Sequence, residues 1–109
     1  MSVLPRLSHL QFLVAGILRG RTLAGREIRD GLENLDVRKS GPAFYQLMAR
    51  LEDGGLVTGE YSQEIVAGQI IRERRYTLTA AGSGAFEESR DFYLKNIKGF
   101  QAIEGLARA

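Results

Sequence analysis

Apolar residues recur along this chain at two different periods, and the change of period marks its parts. From Leu7 to Leu18, the residues Leu7, Leu10, Val14, Ile17 and Leu18 fall at threes and fours, with Phe12 and Leu13 adding a second side. The spacing predicts a first helix over Leu7–Leu18, entered after Pro5 and left at Gly20. Leu23, Ile28, Leu32 and Leu35 give the stripe of a second helix. Thr22 is its expected N-cap, because a hydroxyl accepts an orphan backbone N–H. Gly25 and Gly31 each cost about 1 kcal/mol relative to alanine in a helix interior. Gly25 is expected to allow close helix–helix approach and Gly31 to lower stability near the helix end. The polar run Asn34–Lys39 reads as a loop.

The stretch "SGPAFYQLMARLEDGGLV" carries its own start and stop. Ser40 caps a third helix and Pro42 fits its first turn, where a missing N–H is harmless. Gly54-Gly55 ends it. Phe44, Leu47, Met48 and Leu51 form one stripe, which leaves Tyr45, Gln46, Ala49 and Arg50 on the other face.

The period then drops to two. Val57–Ile65 and Ile70–Thr79 read as strands. With Ala67-Gly68 as a two-residue turn, Val57 faces Leu78, Gly59 faces Tyr76, and Ile65 faces Ile70. Glu60 then falls opposite Arg75, an attractive cross-strand pair. Ala-Gly is a weaker turn signal than Asn-Gly. Thr79 caps a last helix, in which Phe86, Tyr93, Ile97 and Phe100 are spaced by seven, four and three, with Leu94 on one flank. Gly99 and Gly105 predict a frayed or bent end. The fold class is α+β, mostly helical. Three helices followed by a hairpin is the order of a winged helix-turn-helix domain, with a two-stranded wing. This assigns residues 1–79 to the winged domain and 80–109 to a C-terminal helix.

Composition narrows the function. The 109 residues suffice for one domain, and 44% apolar with 26% charged is ordinary for a globular one. The absence of cysteine excludes disulfides and thiolate metal sites and suggests a cytoplasmic setting. No uncharged apolar run is long enough to span a membrane. The opening "MSVLPRLSHLQFLVAGILRG" lacks the usual small-residue cleavage site, so no signal peptide is expected. Enzyme chemistry finds no footing: one histidine, His9, cannot assemble a metal site, and neither "GRTLAG" nor "AAGSGAF" matches a phosphate-cradling pattern. Glu87-Glu88 reads as acidic residues suited to a helix's early turns. No cofactor is implied.

Net charge is only +2, too small to argue for nucleic acid by itself. Arg38-Lys39 and the group Arg72, Arg74, Arg75 are candidate patches on a surface of mixed sign. In helix-turn-helix proteins the N-terminal residues of the third helix meet base edges. Here these are Ser40, Ala43, Tyr45 and Gln46. Gln46 can bond an adenine edge bidentately and Ala43 can touch a thymine methyl. Ser40 and Tyr45 can donate to phosphate, while Arg38, Lys39 and Arg50 neutralise charge. Arg72 and Arg74 share one face of the second strand. A plain surface helix with a chance tyrosine is the competing reading.

The run from Leu10 to about Gly82 resembles the PadR family of bacterial transcriptional regulators. The likeness lies in Ser40, Tyr45, Leu47, Arg50, Leu51 and Glu52 of the third helix and in the Gly55, Leu56 and Val57 that lead out of it. It continues in Arg74, Arg75, Tyr76, Leu78, Thr79, Ala81 and Gly82 of the wing return. The family's His-Gly-Tyr-Glu-Ile opening of the second helix is "AGREI" here, so its histidine and tyrosine are replaced. The resemblance implies a homodimeric repressor that binds double-stranded DNA at an inverted-repeat operator and can release it on binding a small-molecule effector. It also implies that the helix after the wing forms the dimer, for which the apolar Phe86, Tyr93, Leu94, Ile97 and Phe100 of that helix are the candidates; the competing reading is that Phe86, Tyr93 and Ile97 only close the monomer core. Phe92, Tyr93 and Phe100 are the residues available to an effector. The rival from another class is a winged-helix module for protein–protein contact, favoured by the apolar wing tip of Ile65, Val66, Ile70 and Ile71.

Overall fold

The computed structural model describes residues 5–108, so Met1–Leu4 of the opening segment lie outside the described residues. The elements run α1 (His9–Leu18), β1 (Thr22–Ala24), α2 (Gly25–Asn34), α3 (Gly41–Asp53), β2 (Val57–Val66), β3 (Gln69–Leu78) and α4 (Ala80–Arg108). The architecture is α+β, four helices with a three-stranded antiparallel sheet in the order β1-β3-β2.

Local chemistry sets the boundaries. α1 begins at His9 rather than Leu7 because Ser8 caps it reciprocally. The Gln11 N–H donates to Ser8 Oγ (3.2 Å), and the Ser8 N–H donates to Gln11 Oε1 (3.0 Å). Thr22 is not a helix cap. It opens β1, pairs with Thr77 of β3, and its hydroxyl lies 2.8 Å from the Thr77 hydroxyl. Three residues are too few for a period to show, so this strand leaves no signal in the sequence. α2 starts at Gly25, and the Ala24 N–H donates to Glu27 Oε1 (3.0 Å). Leu35, expected in the α2 stripe, is exposed. The helix ends at Asn34, Asp36 takes a positive φ of 61°, and Val37 rather than Leu35 packs against the core. Gly31 joins Gly25 as a close-approach glycine of α2, since a Cβ there would lie 3.0 Å from the Ile17 side chain.

The hairpin register matches the sequence expectation pair by pair, from Val57 opposite Leu78 to Ile65 opposite Ile70. Ala67 and Gly68 turn the chain with φ of 52° and 78°. Glu60 does lie opposite Arg75, but the Arg75 guanidinium goes elsewhere: to the Thr22 carbonyl (3.2 Å) and Glu27 (3.8 Å).

Thr79 caps α4, accepting from the Gly82 N–H at 3.0 Å. At Gly82 a Cβ would sit 2.0 Å from the Leu56 carbonyl oxygen, so only glycine lets this first turn lie against the start of β2. α4 then continues unbroken through Gly99 and Gly105 to Arg108, against the expected fraying. Two glycines at about 1 kcal/mol each do not outweigh a ladder flanked by good helix formers such as Lys98, Glu104 and Leu106.

The core gathers Val14 and Leu18 of α1, Ile28 and Leu32 of α2, Phe44, Met48 and Leu51 of α3, and Tyr76 of β3. Burial pushes the Tyr76 hydroxyl above its ordinary pKa. The ten-residue strands and the long α4 outrun this core, giving extents of 66 × 27 × 23 Å.

Candidate nucleic-acid interface

α3 presents its outer face as the pattern requires. Ser40 fixes the start, its hydroxyl accepting from the Ala43 N–H at 3.2 Å. Phe44, Met48 and Leu51 are buried, so Tyr45, Gln46, Ala49 and Arg50 are exposed, and Ala43 is half-buried at the edge. Arg38 is exposed, with Glu33 3.6 Å away. The Lys39 carbonyl accepts from Arg29 Nη2 (3.1 Å), and the Arg29 guanidinium also lies 6.0 Å from the Phe44 ring centre. Arg29 therefore holds the loop before α3 in place.

The wing arginines divide. Alternation along β2 and β3 puts Tyr61, Gln63, Ile65, Ile70, Arg72 and Arg74 on one face. Arg74 donates from Nε and Nη2 to the two carboxylate oxygens of Glu52 on α3, at 2.9 and 2.7 Å. These hydrogen bonds hold the guanidinium well above its ordinary pKa. Gly59 makes room for the pair, since a Cβ there would come within 2.5 Å of Glu52 Oε1. Arg72 is exposed, stacks 4.3 Å from the Tyr61 ring centre, and has no carboxylate within 4.0 Å among the described residues. Arg75 lies on the opposite face with Glu27, so the three arginines expected to form one patch do not.

Between α3 and the wing runs a groove of about 450 Å³, lined by Tyr45, Tyr61, Arg72 and Arg74, with Arg26 at the start of α2. Arg26 is paired with Glu73 (2.6 Å). A Cβ on Gly25 would stand 3.3 Å from the Tyr45 hydroxyl, so α2 meets α3 closely here. Tyr61 is the residue that sequence reasoning missed; its signal was its register position, diagonal to Arg72 and opposite Arg74. Among the described residues no group of histidine and acidic side chains could hold a metal ion.

The dimer residues named from the sequence also divide. Phe86 is buried, stacked on Phe12 at 5.1 Å, and Tyr93 lies 5.2 Å from Phe12 with its hydroxyl 3.1 Å from His9 Nδ1. Phe86 therefore belongs to the monomer core, which removes it from the proposed dimer face, while Tyr93 is half-buried against α1. Leu94, Ile97 and Phe100 are half or more exposed, and Ile103 and Leu106 extend the set. These last two lie in the stretch where the glycines predict fraying, which masks their part in the stripe. Glu87 pairs with Arg19 and Arg90, and Glu88 with Arg6 (3.5 Å), so the acidic pair fastens α4 to the rest of the chain rather than serving a helix end. At the wing tip, Ile65 and Ile70 are among the most exposed apolar residues of the chain, at 77% and 71%.

No protein-family model matches the sequence, and no curated protein is similar to it at a significant level. Solved structures do match. A PadR family transcription regulator from Clostridium difficile superposes with a TM-score of 0.76 at 22% identity, over 88% of this chain and 98% of that one. A PadR family regulator from Eggerthella lenta gives 0.70 at 22% identity, over 86% and 80%. Bacillus subtilis PadR in complex with operator DNA gives 0.61 at 22% identity, over 79% of this chain and 47% of that one. No helix among the described residues is long and apolar enough to cross a membrane. The architecture of this chain is the PadR-like winged helix with a C-terminal helix.

Proposed function

We propose that this chain is a cytoplasmic, sequence-specific regulator of transcription that binds double-stranded DNA as a homodimer, as a repressor on an inverted-repeat operator. The observation that carries the reading is the exposed outer face of α3, bordered by a groove whose Arg72 has no acidic partner among the described residues. Gln46 and Ala43 read base edges in the major groove. Ser40, Tyr45, Arg38, Lys39 and Arg50 hold phosphates. That the Bacillus subtilis neighbour was solved with operator DNA supports the same use of the fold. Residues 1–79 carry DNA binding and residues 80–109 association, with the first turns of α4 shared by the core. A second copy covers Leu94, Ile97, Phe100, Ile103 and Leu106. An effector, where one acts, meets Phe92 and Phe100 beside that seam.

The test is to sequence the DNA that co-precipitates with the protein and titrate the recovered site against its scrambled form. Gln46→Ala should cost about 1–3 kcal/mol on the preferred site and relax choice at one base pair. A wild-type protein that treats both duplexes alike, with no salt dependence, removes the reading. The exposed isoleucines of the wing tip favour a second one, a module for protein contact, which that result would put first.

A further inference from the structure

Three arginines line the groove between α3 and the wing, and they are not equivalent. Arg26 is paired with Glu73. Arg74 has given Nε and Nη2 to Glu52. Pulling Arg74 away to grip a phosphate would leave the half-buried Glu52 carboxylate uncompensated beside another anion. Of the three, only Arg72 has no carboxylate partner among the described residues, and Gln63 directly opposite it on β2 is neutral. Its guanidinium is nevertheless not loose, because it lies over the Tyr61 ring. The same ring also carries the Arg74 guanidinium, at 4.9 Å. Glu52, Arg74, Tyr61 and Arg72 therefore form one continuous set of contacts that runs from the recognition helix out along the wing.

We propose that Tyr61 is a positioning residue: its ring, clamped by the Glu52–Arg74 ion pair, aims Arg72 at one phosphate of the DNA strand that passes between α3 and the wing. The proposal rests on the DNA-binding reading above. A free arginine on a strand loses much rotamer freedom when it binds a phosphate. Stacking on a fixed aromatic face removes part of that loss beforehand. The ring also attracts the cation without neutralising it, as a carboxylate would, so the full charge remains for the phosphate. Arg74 supplies the wall and Arg72 the contact.

Phosphate contacts are independent of sequence, so a random-sequence duplex of about two helical turns is a sufficient probe. Fluorescence anisotropy at several salt concentrations would compare wild type, Tyr61→Phe, Tyr61→Leu, Arg72→Gln and the Tyr61→Leu/Arg72→Gln double variant. Arg72→Gln should lower the salt slope by about one. Tyr61→Leu should weaken binding about two- to fivefold, and Tyr61→Phe, which keeps the ring, should restore it. In the Arg72→Gln background Tyr61→Leu should cost nothing more. Tyr61 is 60% exposed, so unchanged thermal melting should accompany the loss, and Tyr61→Thr repeats the test if the leucine variant self-associates. Equal costs in both backgrounds, no cost in either, or a Tyr61→Phe variant as weak as Tyr61→Leu would overturn the positioning role while wild-type binding stands. Absence of wild-type binding would remove the DNA reading, and this inference with it.

Discussion

The two halves of α4 carry the same kind of residue and meet opposite surroundings. In the first half Ala85, Phe86 and Ser89 are buried, and Phe86 stacks on Phe12 of α1. In the second half Leu94, Ile97, Phe100, Ile103 and Leu106 are all half or more exposed. Length accounts for the difference. The ten residues of α1 span about 15 Å and the 29 of α4 about 43 Å. Beyond Tyr93, α4 has run past the helix it packs against. An apolar periodicity states that a face is to be buried; the reach of the neighbours decides whether the same chain does the burying.

The sharpest way to break this comparison is to delete one side chain from each half. Phe86→Ala should cost about 3–5 kcal/mol of stability, because it opens a cavity against α1 in the monomer itself. The loss should appear as a fall in melting temperature that does not change with protein concentration. Ile97→Asp should act on association instead, because a charge there would be buried without a partner. Its dimer should dissociate on the order of 100-fold more readily, seen by light scattering, with the monomer still folded by circular dichroism. If Ile97→Asp unfolds the dilute protein as Phe86→Ala does, the distal half belongs to the monomer core after all. If the variant remains a folded dimer, the seam lies elsewhere.

How far the sequence can be read follows the same division. Where one short range of residues carries both the pattern and its partner, the reading is complete. The α3 stripe and caps are of this kind, and so is the hairpin, whose register is fixed by alternation and by two turn residues. Where the partner is remote, the pattern is legible and its use is not. Phe86 reads as one more apolar position until Phe12, 74 positions earlier, is seen against it. Arg74 reads as a free cation until Glu52 is brought beside it by the turn at Gly54-Gly55 and the room left by Gly59. β1 stays invisible because three residues have no period and Thr22 suits a cap as well as a strand.

The wing repeats the contrast on a smaller scale, with its base buried at Tyr76 and its tip exposed at Ile65 and Ile70. Replacing both tip isoleucines with serine should change monomer stability by less than about 1 kcal/mol, since little apolar area is lost from the interior. Calorimetry would check this. A larger loss would show that the tip is covered in solution, as the distal half of α4 is expected to be.

The smallest effect should come from the turn itself, and it has the opposite sign. Ala67 holds φ at 52° and Gly68 at 78°, so both central residues are in the left-handed region that a type I′ hairpin turn requires. Glycine accepts this freely, whereas alanine brings its Cβ too close to the following carbonyl. Asparagine tolerates the same dihedrals better, and Asn-Gly is the preferred pair for this turn. Ala67→Asn should therefore stabilise the hairpin by about 0.5–1 kcal/mol, purely through the backbone of the turn and with the packing elsewhere unchanged. Amide exchange at Val66 and Gln69 should slow in proportion. Whether the melting temperature rises with it tells how the tip is joined to the rest. A rise in both places the whole wing in one cooperative unit with the core. Slower exchange at an unchanged melting temperature would mean that the tip opens by itself, and that its exposed isoleucines are as independent of the core as the end of α4. Unchanged exchange would show that Ala67 carries no strain.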